Sequence, residues 1–152
     1  MQEYLASQLG YFLYLTSLDG YPPNAFLIAT VANPTNPQEL RSSSVEVIYR
    51  CLKCDLLALD PPWANKYDAE SFAELLSEHD PYEDNPKKYD STCWQGPLLC
   101  ATKKTESLLT KYRINDSKNT TFSLFIKEIL DIFNKQGLPW GKVFYPISNA
   151  AH

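Results

Sequence analysis

The sequence predicts an α+β fold: a mainly helical single domain over residues 1–152, with a small antiparallel hairpin or sheet before the C-terminal helix. Three observations predict it. Apolar residues recur at helical spacing near both ends of the chain, over 2–18 and 122–136. Asn36-Pro37-Gln38-Glu39 combines an N-cap, a proline at the first helical position and a carboxylate at the third. Two short apolar runs, 98–102 and 108–114, flank the polar Lys103-Lys104-Thr105-Glu106-Ser107 and read as a hairpin. At 152 residues the chain is long enough for one core without disulfide staples.

In chain order, 2–18 is a helix with two stripes, Leu5, Leu9, Phe12 and Thr16 on one and Tyr4, Tyr11, Leu15 and Leu18 on the other. Apolar surface that wide implies a helix covered on most sides. Asp19-Gly20 and Pro22-Pro23 make a turn. Residues 25–32 are apolar throughout and fit either a helix or a strand; Asn24 in the cap position favours the helix. The helix begun at Asn36 runs to about Leu59, where Pro61-Pro62 stops it, with a break or kink possible at Ser42-Ser43-Ser44. Asp68 caps a helix over 69–79 that turns Phe72, Leu75 and Leu76 inward. Residues 80–97 form a long polar loop with three prolines. Thr120 or Thr121 caps the helix over 122–136, and Gly137-Leu138 ends it in a Schellman stop. Residues 140–147 add a short strand.

Between Tyr67 and Pro86 the chain carries seven carboxylates and no Lys or Arg: Asp68, Glu70, Glu74, Glu78, Asp80, Glu83 and Asp84. The whole chain has a net charge of only -4, so negative charge is concentrated here. Glu70, Glu74 and Glu78 recur every fourth residue and share one outward helical face. Tyr82, Tyr89 and Trp94 follow in the loop as aromatic anchors. Charge for steering and aromatics for anchoring suit capture of a basic partner, and the site predicted for it is Glu70, Glu74, Glu78, Asp80, Tyr82, Glu83, Asp84, Tyr89 and Trp94. The competing reading is that the acidity confers solubility and the aromatics belong to the core.

Chemistry finds little support in the sequence. Cys51-Leu52-Lys53-Cys54 falls mid-helix, where no helix N-terminus lowers a thiol pKa, and Cys93 and Cys100 lack the spacing of a second zinc knuckle. Ordinary core residues are the expectation for all four. His79 stands between Glu78 and Asp80, but adjacent residues point apart, so this is no dyad. Five scattered glycines build no phosphate loop. Lys103, Lys104, Lys111, Arg113 and Lys118 gather around Tyr112, yet Glu106 and Asp116 interrupt them and the pI is about 5.1, so direct nucleic-acid binding is not expected. No cofactor and no metal is expected. The first 18 residues lack a basic n-region and contain Glu3, and no apolar run reaches membrane-spanning length; a soluble, cytoplasmic protein with reduced thiols is predicted. Asn119-Thr120-Thr121 matches a glycosylation acceptor, a pattern without consequence in such a compartment.

The stretch DAESFAELLSEHDPYED and the segment Cys93-Trp94-Gln95-Gly96-Pro97, in a small acidic, aromatic-rich chain, resemble the immunity proteins of bacterial toxin systems, including contact-dependent growth inhibition. The resemblance implies a non-catalytic protein that binds a basic, nuclease-type toxin domain and covers its active site. The alternative is a small enzyme or ligand-binding protein with a pocket between helices and hairpin, lined by Trp94, Tyr112 and Trp140. A third reading is a structural subunit that oligomerises through the apolar first helix.

Overall fold

A computed structural model of the protein describes residues 1, 3–29 (28 and 29 by backbone alone), 37–81, 92–115 and 121–147. Among them the chain folds as α1 (Glu3–Leu18), α2 (Asn24–Ala29), α3 (Pro37–Lys53), β1 (Leu57–Leu59), α4 (Pro61–Ala64), α5 (Ala69–Glu78), β2 (Leu99–Ala101), α6 (Lys103–Lys111) and α7 (Phe122–Lys135). This is the mainly helical α+β arrangement, with a two-stranded antiparallel sheet ahead of the last helix. No helix among the described residues is long and apolar enough to cross a membrane.

α1 buries Leu5, Leu9, Phe12 and Leu13, and Phe12 meets Phe26 of α2 edge-on at 5.4 Å. Gly10 lets α7 approach: a Cβ there would stand 2.4 Å from the Phe122 ring and 2.8 Å from Ile126 Cδ1. From α7, Phe125, Ile126, Ile129 and Phe133 enter the core, as their spacing predicts. Thr121 occupies its N-cap, but the hydroxyl donates to the carbonyl of Tyr112 and ties α7 to the end of α6.

α3 ends six residues before the predicted Leu59. Asp55 adopts the left-handed conformation (φ 59°), the Leu56 N–H donates to the Cys51 carbonyl at 2.8 Å, and Asp55 N–H donates to Leu52. That is a Schellman stop with aspartate where glycine is usual, and the following Leu56 is buried. α6 ends the same way on Arg113 (φ 53°) and buried Ile114, and α7 on Gly137 (φ 73°) and buried Leu138, the one such stop that carries glycine. The early stop of α3 releases Leu57–Leu59 to become a strand. Pro61-Pro62 then begin α4; their lack of N–H groups costs nothing in a first helical turn.

The predicted hairpin of 98–102 with 108–114 does not form. β2 pairs instead with β1, antiparallel, Leu57 opposite Ala101 and Leu59 opposite Leu99, and Tyr21 bridges Leu99 on its other side. The segment 103–111 is helical because Thr102 caps it, its Oγ accepting from the Thr105 N–H at 3.3 Å, and because Thr105 and Leu109 fall one turn apart on the core side. It also lacks the Gly or Asn that a tight hairpin turn needs.

The predicted strand at 140–147 is likewise absent, and a buried polar network explains what holds the segment. Arg50 is fully buried, and all five of its N–H groups have acceptors: Nε to Leu138 O (3.0 Å), Nη1 to Glu46 O and Oε1 (3.0 and 2.7 Å), Nη2 to Pro139 O and Lys142 O (2.8 and 2.7 Å). The Glu46 carboxylate in turn accepts from the Phe144 and Tyr145 N–H groups at 2.8 to 3.2 Å. The guanidinium carbon lies 4.9 Å from the Trp140 ring centre and 5.2 Å from that of Phe144. Side chains of one helical turn thus replace a ladder.

Candidate partner-binding face

α5 forms where Asp68 predicts it. The Asp68 carboxylate accepts from Ser71 N–H at 2.8 Å, and the Ser71 hydroxyl accepts from Asp68 N–H at 3.0 Å, a reciprocal capping box. The Ser71 backbone bond, with its hydroxyl, holds the Asp68 carboxyl below its ordinary pKa. This start fixes the rotation of the helix: Phe72, Ala73, Leu76 and Ser77 are buried, α5 packs on α3, and Glu74 and Glu78 are exposed on the far side.

The other end of α5 has neither glycine nor lysine. His79 Nδ1 lies 2.9 Å from Leu75 O. Trp94 Nε1 donates to Leu76 O at 3.1 Å and to His79 O at 3.0 Å, and Arg41 Nη2 donates to Ser77 O at 3.0 Å and His79 O at 2.8 Å. The Leu75, Leu76 and Ser77 carbonyls, three of the four that a free helix end exposes, therefore have side-chain partners, and the Arg41 charge sits where the helix dipole favours a cation. Burial nevertheless lowers the Arg41 pKa, with Asp80 opposing.

The acidic residues separate into distinct roles. Glu70 is half-buried and ion-paired with Lys53 at the end of α3; that bond raises the Lys53 pKa. Glu74 and Glu78, one turn apart, have no cation within ion-pair reach among the described residues. Asp80 is half-buried just beyond the helix. Tyr82, Glu83, Asp84 and Tyr89 lie outside the described residues. Trp94 is a correction: predicted as a surface anchor, it is 1 % exposed and caps α5 from within the core. Its indole needs both an apolar slot and an acceptor, and the end of α5 supplies both.

Aromatic surface reaches the acidic face from elsewhere. Tyr145 and Tyr49 meet edge-on at 4.8 Å, and both feel the charge of Glu70, Tyr145 that of Glu74 more weakly. Burial, Tyr49 and the two carboxylates push the Tyr145 hydroxyl up to about 12, so it stays a neutral donor. Tyr145 is 75 residues from Glu70 in sequence, and no local signal joins them. A sequence trace of the connection does exist: Glu46 and Arg50, one turn apart in the apolar run VEVIYRC, mark a buried pair that must hold something down.

The remaining candidates find other places. Cys51, Cys54 and Cys93 are buried free thiols, and burial raises the pKa of Cys51, Cys54 and half-buried Cys100, away from the thiolate a nucleophile needs. Of the basic cluster, Lys104 donates to the Cys54 carbonyl and Lys111 pairs with Glu128; Lys118 lies outside the described residues. Trp94, Tyr112 and Trp140 have separate neighbours, the end of α5, Phe125 and Arg50 respectively. Against known protein families, characterised proteins and solved structures the chain finds no match.

Proposed function

We propose that this is a non-catalytic, cytoplasmic binding protein that captures a basic protein partner, in the manner of the immunity proteins it resembles, and neutralises it. The observation that carries the reading is Glu74 and Glu78: two exposed carboxylates on the outer face of a doubly capped helix, uncommitted among the described residues, with half-buried Tyr145 within electrostatic reach of the first of them. Exposed carboxylates steer encounter, raising association to about 10⁸ M⁻¹s⁻¹ at low salt, and an aromatic at the edge of the patch supplies the desolvated contact. A partner rich in Lys or Arg, such as a nuclease domain, offers the complementary surface.

The test is affinity capture from the source cells with the wild-type chain and with the Glu74→Lys/Glu78→Lys variant, at low and at high salt, followed by reconstitution with the purified partner. The expected result is a basic protein recovered by the wild type at low salt, lost with the variant, and inhibited on rebinding. Recovery of the same partner by the variant at low salt would overturn the reading.

A further inference from the structure

We propose that residues 139–147 form a strap that opens from α3 as a unit, pivoting just past the buried Leu138, and that its opening joins two cavities into one groove along α3. Among the described residues, the side-chain hydrogen bonds that hold it come from one turn of one helix. Among the described residues no backbone–backbone hydrogen bond ties 139–147 to the rest of the chain. The strap is held instead by Glu46 and Arg50, through three carbonyls and two amides of 138–145, and by the Tyr49 ring against Phe144 and Tyr145 at 5.7 and 4.8 Å.

Anchors so concentrated are released together. Once Glu46 loses the Phe144 and Tyr145 amides, Arg50 loses the geometry that fixes Pro139 and Lys142, because the two side chains orient each other. Segments attached through few groups open locally, well below the cost of unfolding the whole chain. Gly141 (φ 106°) supplies backbone freedom in the middle of the strap, and a Cβ there would touch nothing within 4 Å.

Beneath the closed strap lies a cavity of about 120 Å³ between Ser42, Ser43, Glu46 and Arg50 of α3 and Trp140 with its neighbours. A larger groove of about 470 Å³ runs beside it, past Tyr4, Gln38 and the same two serines. Trp140 is a wall of both, so lifting it merges them and bares the Glu46–Arg50 pair. Tyr145 leaves the acidic face in the same motion.

Native-state amide exchange on the full chain tests this. The Phe144 and Tyr145 amides are expected to exchange at one common rate with weak urea dependence, at least about tenfold faster than the Ile48 amide within α3. Glu46→Gln should accelerate both by about tenfold to a hundredfold. Gly141→Ala, which strains only the strap, should accelerate both while leaving Ile48 unchanged, and keeps the test valid if the Glu46 variant folds poorly. Exchange of Phe144 and Tyr145 only with Ile48, at the full urea dependence of global unfolding, overturns the proposal, as does acceleration of one amide without the other.

Discussion

Replacing Trp94 separates a core side chain from a surface anchor by about an order of magnitude in free energy. In the structure the indole is 1 % exposed, and its N–H is shared between the Leu76 and His79 carbonyls. Trp94→Phe keeps a ring in the slot but removes the donor. Each carbonyl retains a second partner, the His79 N–H on Leu76 and Arg41 on His79, so the lost hydrogen bond costs about 1 kcal/mol. The smaller ring forfeits about 1 kcal/mol more of apolar burial. The sum, about 2 kcal/mol, lowers Tm by about 4–8 °C in a chain of this size. Trp94→Ala leaves a cavity as well and should cost about 3–5 kcal/mol. Urea unfolding followed by far-ultraviolet circular dichroism reads both values, with m unchanged if the transition stays two-state. An alanine variant within about 0.5 kcal/mol of wild type, the range of an ordinary surface substitution, would refute the placement of Trp94.

Other expectations follow from the same geometry. Arg50→Met and Glu46→Leu should each cost about 3–5 kcal/mol, and the double variant much less than their sum, in a urea-denaturation cycle; additive costs would contradict a closed buried pair. Arg113→Gly, which relieves a left-handed arginine, should stabilise by up to about 1 kcal/mol, seen as a raised urea midpoint. Asp68 should titrate below its ordinary value when followed by NMR. Because its folded pKa is the lower, its contribution to stability is fully present above the unfolded value of about 3.9 and is lost as pH falls through the folded one.

The helices were legible where their ends carry local chemistry. Asp68 and Ser71 announce α5, and Gly137-Leu138 announces the end of α7. Legibility failed where an uncommon residue did a common job. Asp55 and Arg113 stop helices in the conformation glycine normally takes, so α3 read as six residues too long and β1 was hidden inside it. The partner of β2 was misassigned because sheet pairing is not local: Leu99–Ala101 finds its neighbour about forty residues upstream, past α5. The acidic half of the candidate site could be read from the spacing of Glu70, Glu74 and Glu78. Its aromatic half could not. Trp94 went to the core and Tyr145 arrived through a network set by Glu46 and Arg50.

The donors that close the far end of α5 come from α3 and from the segment that carries Cys93 and Trp94. At ten residues, α5 is shorter than the length at which an isolated helix holds in water, and its own sequence provides a start but no stop. The row of glutamates is therefore a property of the assembled chain. A ten-residue helix alone is marginal in water, so the face depends on Arg41 and Trp94 being docked at its end. The same dependence means that a synthetic copy of residues 68–80 would carry the charges without the shape, and would make a poor substitute for the whole protein as a ligand.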